Sequence, residues 1–193
     1  MPFRIGPRQF LDFALNPRWS LGALVKGRPD MANFQMDGYV FDRTESCARA
    51  NWNTLKRLCD AWSGKLVVKG ILDVEDAMAL NQHGVDAIQV SSHGARQLES
   101  VLAPITALAD IRTALGDDLP LFYDSGLRSG EDVLKACAAG ANFTFLGRIL
   151  QFAIAAGGED GLNRLWQVLA DELSVAMAQT GMSGLMHPTK KPA

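Results

Sequence analysis

From residue 65 onward, short apolar runs alternate with stretches in which apolar residues recur at helical spacing. The apolar runs predict four strands, at Lys65–Lys69, Val85–Val90, Leu119–Tyr123 and Asn142–Leu146. The intervening stretches predict helices at Val74–His83, Ile105–Leu115 and Gly130–Ala139, and a long amphipathic helix from Asp160 to Gln179. Nearly continuous apolar strands separated by helices indicate a parallel sheet with helices packed on it.

The N-terminal part of the sequence lacks this alternation. Residues 1–42 are rich in Arg, Pro, Gly and Asn and hold no sustained period, which predicts a long loop with one short helix around Arg8–Ala14. Helical spacing then runs from Thr44 to Trp62. We therefore expect one domain over residues 1–182, made of a long loop (1–42) and a half barrel (43–182), with a disordered tail over 183–193.

The number of β/α units limits the fold. Four units are half the number in a (β/α)₈ barrel, which typically needs about 250 residues, and this chain has 193. The sequence therefore predicts an α/β fold that forms half of a TIM barrel. Each predicted strand ends in polar residues, and because parallel strands end at the same edge of a sheet, we expect these residues to lie together.

The second strand ends in a turn that carries His93 and Arg96. An imidazole with an ordinary pKa near 6.5 can accept a proton at neutral pH, and a guanidinium fork matches the two oxygens of a carboxylate. A lone turn histidine more often caps a loop. The arginine three residues away favours instead a catalytic base beside a carboxylate-binding cation.

Two other strand ends predict an anion site. Gly126 and Arg128 follow the third strand, and Gly147 and Arg148 follow the fourth. Glycine lets the backbone approach an anion, and a helix N-terminus offers free N–H groups. Each residue alone is compatible with turn chemistry or a surface ion pair, but their combination favours phosphate binding. Lys69 ends the first strand, where a lysine either extends along the rim or points into the site. Asp124 ends the third strand, where a buried carboxylate needs hydrogen-bond donors. Both are therefore further candidate site residues.

Composition excludes several other classes of function. Apolar residues make up 48% of the chain and the net charge is −2, which gives no basic surface for nucleic acid. No run approaches the roughly 18 apolar residues of a membrane-spanning helix, so we expect no transmembrane segment. Three widely spaced cysteines favour a reducing compartment. We expect a cytoplasmic protein, with peripheral membrane association left open, and no metal site, because no His or Cys pair has ligand spacing.

Four motifs, in order and spacing, resemble the second half of the FMN-dependent α-hydroxy acid oxidase/dehydrogenase family. They are Lys65–Ile71, Ser91–Leu98, Tyr123–Gly130 and Phe145–Arg148. The Asp124-Ser125-Gly126 form is similar to that of the L-lactate and mandelate dehydrogenase branch. The resemblance implies that the four strands correspond to strands 5 to 8 of the family's barrel.

The resemblance also implies a role for each site residue. His93 would be the general base, Arg96 would bind the substrate carboxylate, and Lys69 would lie at the N1/O2 edge of the flavin. The other FMN contacts implied are Ser91, Asp124, Ser125, Gly126, Leu127, Arg128, Gly147 and Arg148. The implied reaction is oxidation of a small L-2-hydroxy acid to the 2-oxo acid with reduction of FMN.

Three hypotheses follow for the chain as a whole. In the first, it is half of such a flavoenzyme and needs a complementary half or a homo-oligomer for activity. In the second, it is a non-catalytic half barrel that binds a phosphate-bearing ligand or another chain. In the third, it comes from another barrel that binds phosphorylated metabolites, which would leave His93 and Arg96 unexplained.

Overall fold

The computed structural model describes residues 6–27 and 50–185, and the chain divides into two compact units between Ala50 and Asn51. The first unit contains helices α1 (Pro7–Leu15) and α2 (Pro17–Lys26). Each of these helices begins with a proline, whose fixed φ suits the first helical turn.

The second unit contains one parallel sheet of four strands in chain order. The strands are β1 (Val67–Ile71), β2 (Ala87–Val90), β3 (Leu121–Tyr123) and β4 (Phe143–Thr144). The helices are α3 (Trp52–Ala61), which precedes β1, and α4 (Val74–Gln82), α5 (Pro104–Leu115), α6 (Gly130–Ala138) and α7 (Arg148–Gln179), which follow the successive strands. Capping side chains set three helix starts: Asn51 accepts from Thr54 N of α3, Asp73 from the first amides of α4, and Ser129 from Asp132 N of α6.

One face of the sheet packs against helices and forms the core. Ile88 of β2 and Leu121 of β3 meet Leu108 and Ile111 of α5, and all four side chains are 0% exposed. Burial of each such side chain contributes about 1.5–3 kcal/mol. The core thus fixes the sheet against α5 and aligns the carboxyl ends of its strands.

The opposite face of the sheet carries a row of side chains in register. Lys69 pairs with Gln89, Gln89 with Phe122, and Phe122 with Phe143 across the four strands. Residues that are partners in register point to the same face, and this face alternates with the buried one along each strand. The row therefore runs from a cation at β1 to aromatic rings at β4; we call this surface the concave face.

A buried arginine joins elements at the amino edge of the sheet. Arg112 of α5 is 5% exposed, and its guanidinium donates to the carbonyls of Gly116, Leu119 and Gly140 and to the side chain of Asn142. Asn142 Oδ1 also accepts from Leu121 N at 2.8 Å. This network links the end of α5 to the starts of β3 and β4.

The predicted fold class is confirmed, because the four strands are parallel and alternate with helices. Strand β1 has the predicted length but begins two residues later, at Val67, and the other three strands are shorter than predicted. Strand β4 pairs with β3 only at Phe143 and Thr144. The last helix begins at Arg148 rather than Asp160. Its first segment was missed because non-helical backbone at Gly157 and Gly158 interrupts the helical spacing just before Asp160.

The prediction of a loop over residues 1–42 is wrong for residues 17–26, which form α2. The single helix expected at Arg8–Ala14 is present as α1. The abundance of Arg, Pro and Gly suggested a loop, but Pro17 stands at a helix start, where proline is tolerated. The helix predicted from Thr44 begins at Trp52 in the described residues, where Asn51 caps it. Residues 28–49 and most of the predicted tail, 186–193, lie outside the described residues.

Candidate active site

A cavity of about 550 Å³ lies at the carboxyl edge of the sheet. Of the eleven site residues predicted from the sequence, every one except Ser91 lines it. The lining holds four cationic side chains, those of Lys69, Arg96, Arg128 and Arg148, and one carboxylate, that of Asp124. The cavity therefore suits an anionic ligand.

Asp124 is the centre of the polar network at this edge. Its Oδ1 accepts from the hydroxyls of Ser91 at 2.5 Å and Ser125 at 2.7 Å. Its Oδ2 accepts from Gln89 Nε2 at 2.6 Å and from Lys69 Nζ. Both carboxylate oxygens are thus satisfied by side chains from three strands or strand ends.

The environment of Asp124 favours its charged form. Burial by itself would raise the pKa of this carboxyl, but hydrogen bonds from Lys69, Ser91 and Ser125 outweigh burial and lower the pKa below its ordinary value. The neighbouring Tyr123 is affected in the opposite sense, because burial raises its pKa to about 12, with Asp124 adding to the shift. Tyr123 remains a neutral donor and binds the carbonyl of Ser125 at 3.1 Å.

His93 lies in a tight turn (His93–Ala95) whose three residues all have positive φ. The values are 55° at His93, 65° at Gly94 and 61° at Ala95. Only glycine adopts this region without penalty, so His93 and Ala95 need support from their surroundings. The support comes from side chains: Ser91 Oγ accepts from His93 N at 3.1 Å, and Ser125 Oγ accepts from Ser92 N at 3.2 Å and Gly94 N at 3.1 Å.

The imidazole of His93 lies against the backbone of Gly70 at the end of β1. A Cβ at Gly70 would fall 2.8 Å from His93 Cε1, closer than real Cβ contacts come. Gly70 also has φ of 96°, which favours glycine. Arg96 follows the turn, and its Nε donates to the carbonyl of His93 at 3.2 Å. The histidine and the arginine therefore face the same cavity.

The predicted anion-binding residues come together on the other side of the cavity. Gly126 follows β3 with φ of 91°, and Gly147 immediately precedes α7. Arg148 is the first residue of α7, and its guanidinium passes close to Gly94, where a Cβ would lie 3.3 Å from it. Within residues 6–27 and 50–185, the side chains of Arg128 and Arg148 form no ion pair with a carboxylate.

Ser91 is the one predicted site residue that does not line the cavity. Its side chain is 1% exposed and bonds Lys69, Asp124 and the amide of His93 behind the cavity wall. Two residues that the sequence analysis did not single out also belong to the site, Gln89 and Gly70. Gln89 carried a usable signal, because it is the one amide side chain in an otherwise apolar strand.

Metal-binding clusters and membrane-spanning helices are both absent from residues 6–27 and 50–185. There, no group of three or more His, Cys, Asp or Glu side chains is arranged to hold a metal ion. Over the same ranges, no helix has the length and apolar character needed to cross a membrane. His83, the other described histidine, ends α4 and stacks on Trp52 with ring centroids 5.3 Å apart.

Comparison with known sequences adds a family relationship. The profile of the family described as FMN-dependent dehydrogenase matches residues 1–191. An L-lactate dehydrogenase of Bartonella tribocorum is 39% identical over 95% of this chain and 51% of its own length. An (S)-mandelate dehydrogenase of Pseudomonas putida is 36% identical over 94% of this chain and 47% of its own length. The chain spans about half the length of the curated relatives it matches.

Comparison with solved structures agrees with the sequence comparison. A crystal structure of mandelate oxidase superposes with a TM-score of 0.67 at 38% identity, over 70% of this chain and 40% of that one. A structure of mandelate oxidase with benzoyl-formic acid gives the same score and identity over 41% of its chain. The fold of this chain corresponds to half of such a TIM-barrel oxidase.

Proposed function

Because this chain belongs to the FMN-dependent dehydrogenase family, we propose that it takes part in oxidation of a small L-2-hydroxy acid to the 2-oxo acid. The relatives act, by their names, on L-lactate and (S)-mandelate, so the substrate we propose is lactate-like or mandelate-like. The family depends on FMN. The observation that carries the proposal is the cavity in which a histidine and four cations surround a single, already paired carboxylate.

The residues of the cavity fit the phosphate end of FMN. Arg128 and Arg148 supply two positive charges, and neither is paired with a carboxylate in the part of the chain that the structure describes. Gly126 and Gly147 leave the backbone accessible, since a Cβ at either would meet no atom within 4 Å. We propose that these four residues hold the phosphate, and that Asp124, Ser125 and Leu127 lie along the ribityl chain.

The other end of the cavity would bind the substrate. In our proposal Arg96 pairs with the substrate carboxylate, because its planar donors match two oxygens. His93 removes a proton from the substrate carbon or from its hydroxyl; both routes use the same base. Lys69 offers a positive charge beside the flavin ring. When bound, FMN would accept the two electrons that leave the substrate.

A second polypeptide would complete the site in this proposal. The concave face carries Phe143 and Phe145 at 57% and 41% exposure, next to the partly buried Phe122. Large apolar rings on one sheet face are typical of a surface that another chain covers. We propose a complementary half barrel, or a second copy of this chain, as the partner, with no nucleic acid involved. We propose the cytoplasm as its place, or a membrane surface facing it.

The alternative is a half barrel without catalysis that binds a phosphate-bearing ligand or another chain. The exposed rings of the concave face are equally compatible with this alternative, because a surface that binds another chain needs no catalysis. The presence of both His93 and Arg96 in the cavity favours the enzymatic function, because binding of a phosphate group requires neither residue.

Visible absorption spectroscopy separates the two functions. The full chain is titrated with FMN, alone and with the N-terminal half of a relative, and then mixed with L-lactate or mandelate. We expect saturable FMN binding that weakens at least tenfold in Arg148→Met, and substrate-dependent bleaching only when the complementary half is present.

The matched control compares the two described histidines. His93→Gln should abolish bleaching and preserve FMN binding, whereas His83→Gln, distant from the cavity lining, should preserve both. Bound FMN that no 2-hydroxy acid bleaches with the complementary half present would support the non-catalytic alternative. Absence of FMN binding under every condition would contradict both.

A further inference from the structure

We infer that Asp124, through the hydroxyls of Ser91 and Ser125, is the positioning residue that holds the His93–Ala95 turn in its left-handed conformation. This role is distinct from contact with a cofactor. It rests on the proposed function only in that His93 is taken to be the base.

The hydrogen-bond directions carry the inference. A serine hydroxyl has one proton to donate and lone pairs that accept. Both hydroxyls donate their single proton to Asp124 Oδ1, at 2.5 Å from Ser91 and 2.7 Å from Ser125. Their lone pairs are therefore turned away from the carboxylate. The carboxylate thus determines the direction in which both serines can accept.

The acceptors created in this way face the turn. Ser91 Oγ accepts a hydrogen bond from His93 N, and Ser125 Oγ accepts hydrogen bonds from Ser92 N and Gly94 N. Three successive amides thus donate to two serine hydroxyls, and both hydroxyls donate to the same carboxylate. Asp124 itself contacts none of these amides in the described structure, so its influence on the turn passes through the two hydroxyls.

The turn requires such support. His93 at φ 55° and Ala95 at φ 61° occupy a region that is unfavourable for residues with a Cβ. Ser125 is itself at φ 83°, which is the backbone geometry from which its hydroxyl meets both Asp124 and the turn. Residues with unfavourable backbone conformation thus lie at both ends of the network, in the turn and at Ser125. Such conformations persist only where the surrounding hydrogen bonds stabilise them.

The second oxygen of Asp124 has its own donors. Lys69 and Gln89 both donate to Oδ2. Because Gln89 is a neutral donor fixed on β2, Oδ2 keeps a partner if Lys69 moves toward a ligand. Lys69 Nζ also donates to Ser91 Oγ at 2.7 Å, but a second lone pair of this oxygen accepts from His93 N. We therefore expect Lys69→Met to leave the turn in place.

Amide hydrogen exchange of the full, isotope-labelled chain, followed by NMR without any cofactor, tests the inference. Loss of one hydrogen bond corresponds to about tenfold faster local exchange. In Ser125→Ala we expect this increase at Ser92 and Gly94, and in Ser91→Ala at His93. In Asp124→Ala we expect it at all three amides, although Asp124 touches none of them.

Two further variants make the test specific. Ser129→Ala is the matched control, because Ser129 caps α6 through Asp132 N and has no bond to the turn; it should leave the three turn amides unchanged. Lys69→Met combined with Asp124→Asn is the conservative rescue. The asparagine carbonyl can accept from both serines while Gln89 turns its own carbonyl toward the asparagine NH₂, so exchange should return to the wild-type rates.

Unchanged turn amides in a folded Asp124→Ala would overturn the inference, as would failure of the rescue variant while core amides such as Ile88 stay protected. If Asp124→Ala does not fold, the two serine variants decide. The outcome is independent of the proposed reaction. A protected turn with no flavin reduction would contradict the proposed function alone, and flavin reduction with an insensitive turn would contradict this inference alone.

Discussion

Gly70 provides the space in which the imidazole of His93 lies. Replacement by alanine puts a Cβ 2.8 Å from His93 Cε1 and places a side chain at φ 96°. We expect Gly70→Ala to lower the free energy of unfolding by about 1–2 kcal/mol and to shift the imidazole resonances of His93 in NMR spectra.

Gly84→Ala is the matched control for Gly70→Ala. Gly84 has a comparable φ of 75°, but a Cβ there meets no atom within 4 Å. It should lose about 1 kcal/mol of stability for the same backbone reason, with the His93 resonances unchanged. Equal effects of the two variants on His93 would show that Gly70 is an ordinary turn glycine.

The carboxyl of Asp124 should make stability depend on pH. Its pKa in the folded chain is lowered by hydrogen bonds from Lys69, Ser91 and Ser125, which outweigh the opposing effect of burial. Such a group stabilises the fold above the unfolded-state pKa, about 3.9, and that contribution disappears as the pH falls through the folded value. We expect denaturant titrations to show unfolding free energy falling below about pH 5, less steeply in Asp124→Asn.

Asp86 separates this effect from general acid sensitivity. A hydrogen bond from Lys65 and one from Leu66 N lower the pKa of Asp86 as well, but Lys65 is 87% exposed and the Asp86 side chain 30% exposed, against 18% for Asp124. Asp86→Asn should therefore change the pH dependence less than Asp124→Asn, because exposed pairs are screened by solvent. Equal slopes in wild type and Asp124→Asn would contradict the prediction.

At the scale of elements, the alternation of apolar runs and helical spacing predicted all four strands and the helices between them. The pattern sufficed because strands buried by helices must be apolar, and this physical constraint leaves a direct trace in sequence. Helix α2 was not predicted, because the abundant Arg, Pro and Gly of residues 1–42 favour a loop, although Pro17 also suits a helix start. The positive φ of His93 and Ser125 could not be predicted, since it depends on hydrogen bonds between residues about thirty positions apart.

The network of Arg112 belongs to the same scale, because it joins the end of α5 to the starts of β3 and β4. Arg112→Met would leave the carbonyls of Gly116, Leu119 and Gly140 without this donor. Buried acceptors that lose their partner cost about 1–3 kcal/mol each, so we expect a loss on the order of 3 kcal/mol in chemical denaturation.

Arg164 of α7 is the control for Arg112. Its one described hydrogen bond is to Gln167 at 3.3 Å on an exposed helix surface. Arg164→Met should change stability by less than about 0.5 kcal/mol. A loss for Arg112→Met that is no larger than this would mean that water replaces the guanidinium at the edge of the sheet.

At the scale of the whole molecule, the four-stranded sheet presents two edges and a concave face with exposed aromatic rings. In the described residues β1 pairs only with β2, and β4 only with β3. Unpaired edges and exposed rings favour association with another chain. We therefore expect the isolated chain to self-associate between about 1 and 100 micromolar, as measured by sedimentation velocity.

The surface responsible can be identified with two variants. Phe143→Ser combined with Phe145→Ser removes the exposed rings of the concave face and should weaken association at least tenfold. Trp166→Ser removes an aromatic ring of similar exposure, 51%, from α7 and should leave association unchanged. If the tryptophan variant weakens association and the double phenylalanine variant does not, the contact lies on the helical surface. The concave face would then be free to receive a complementary half barrel, because self-association would not compete for it.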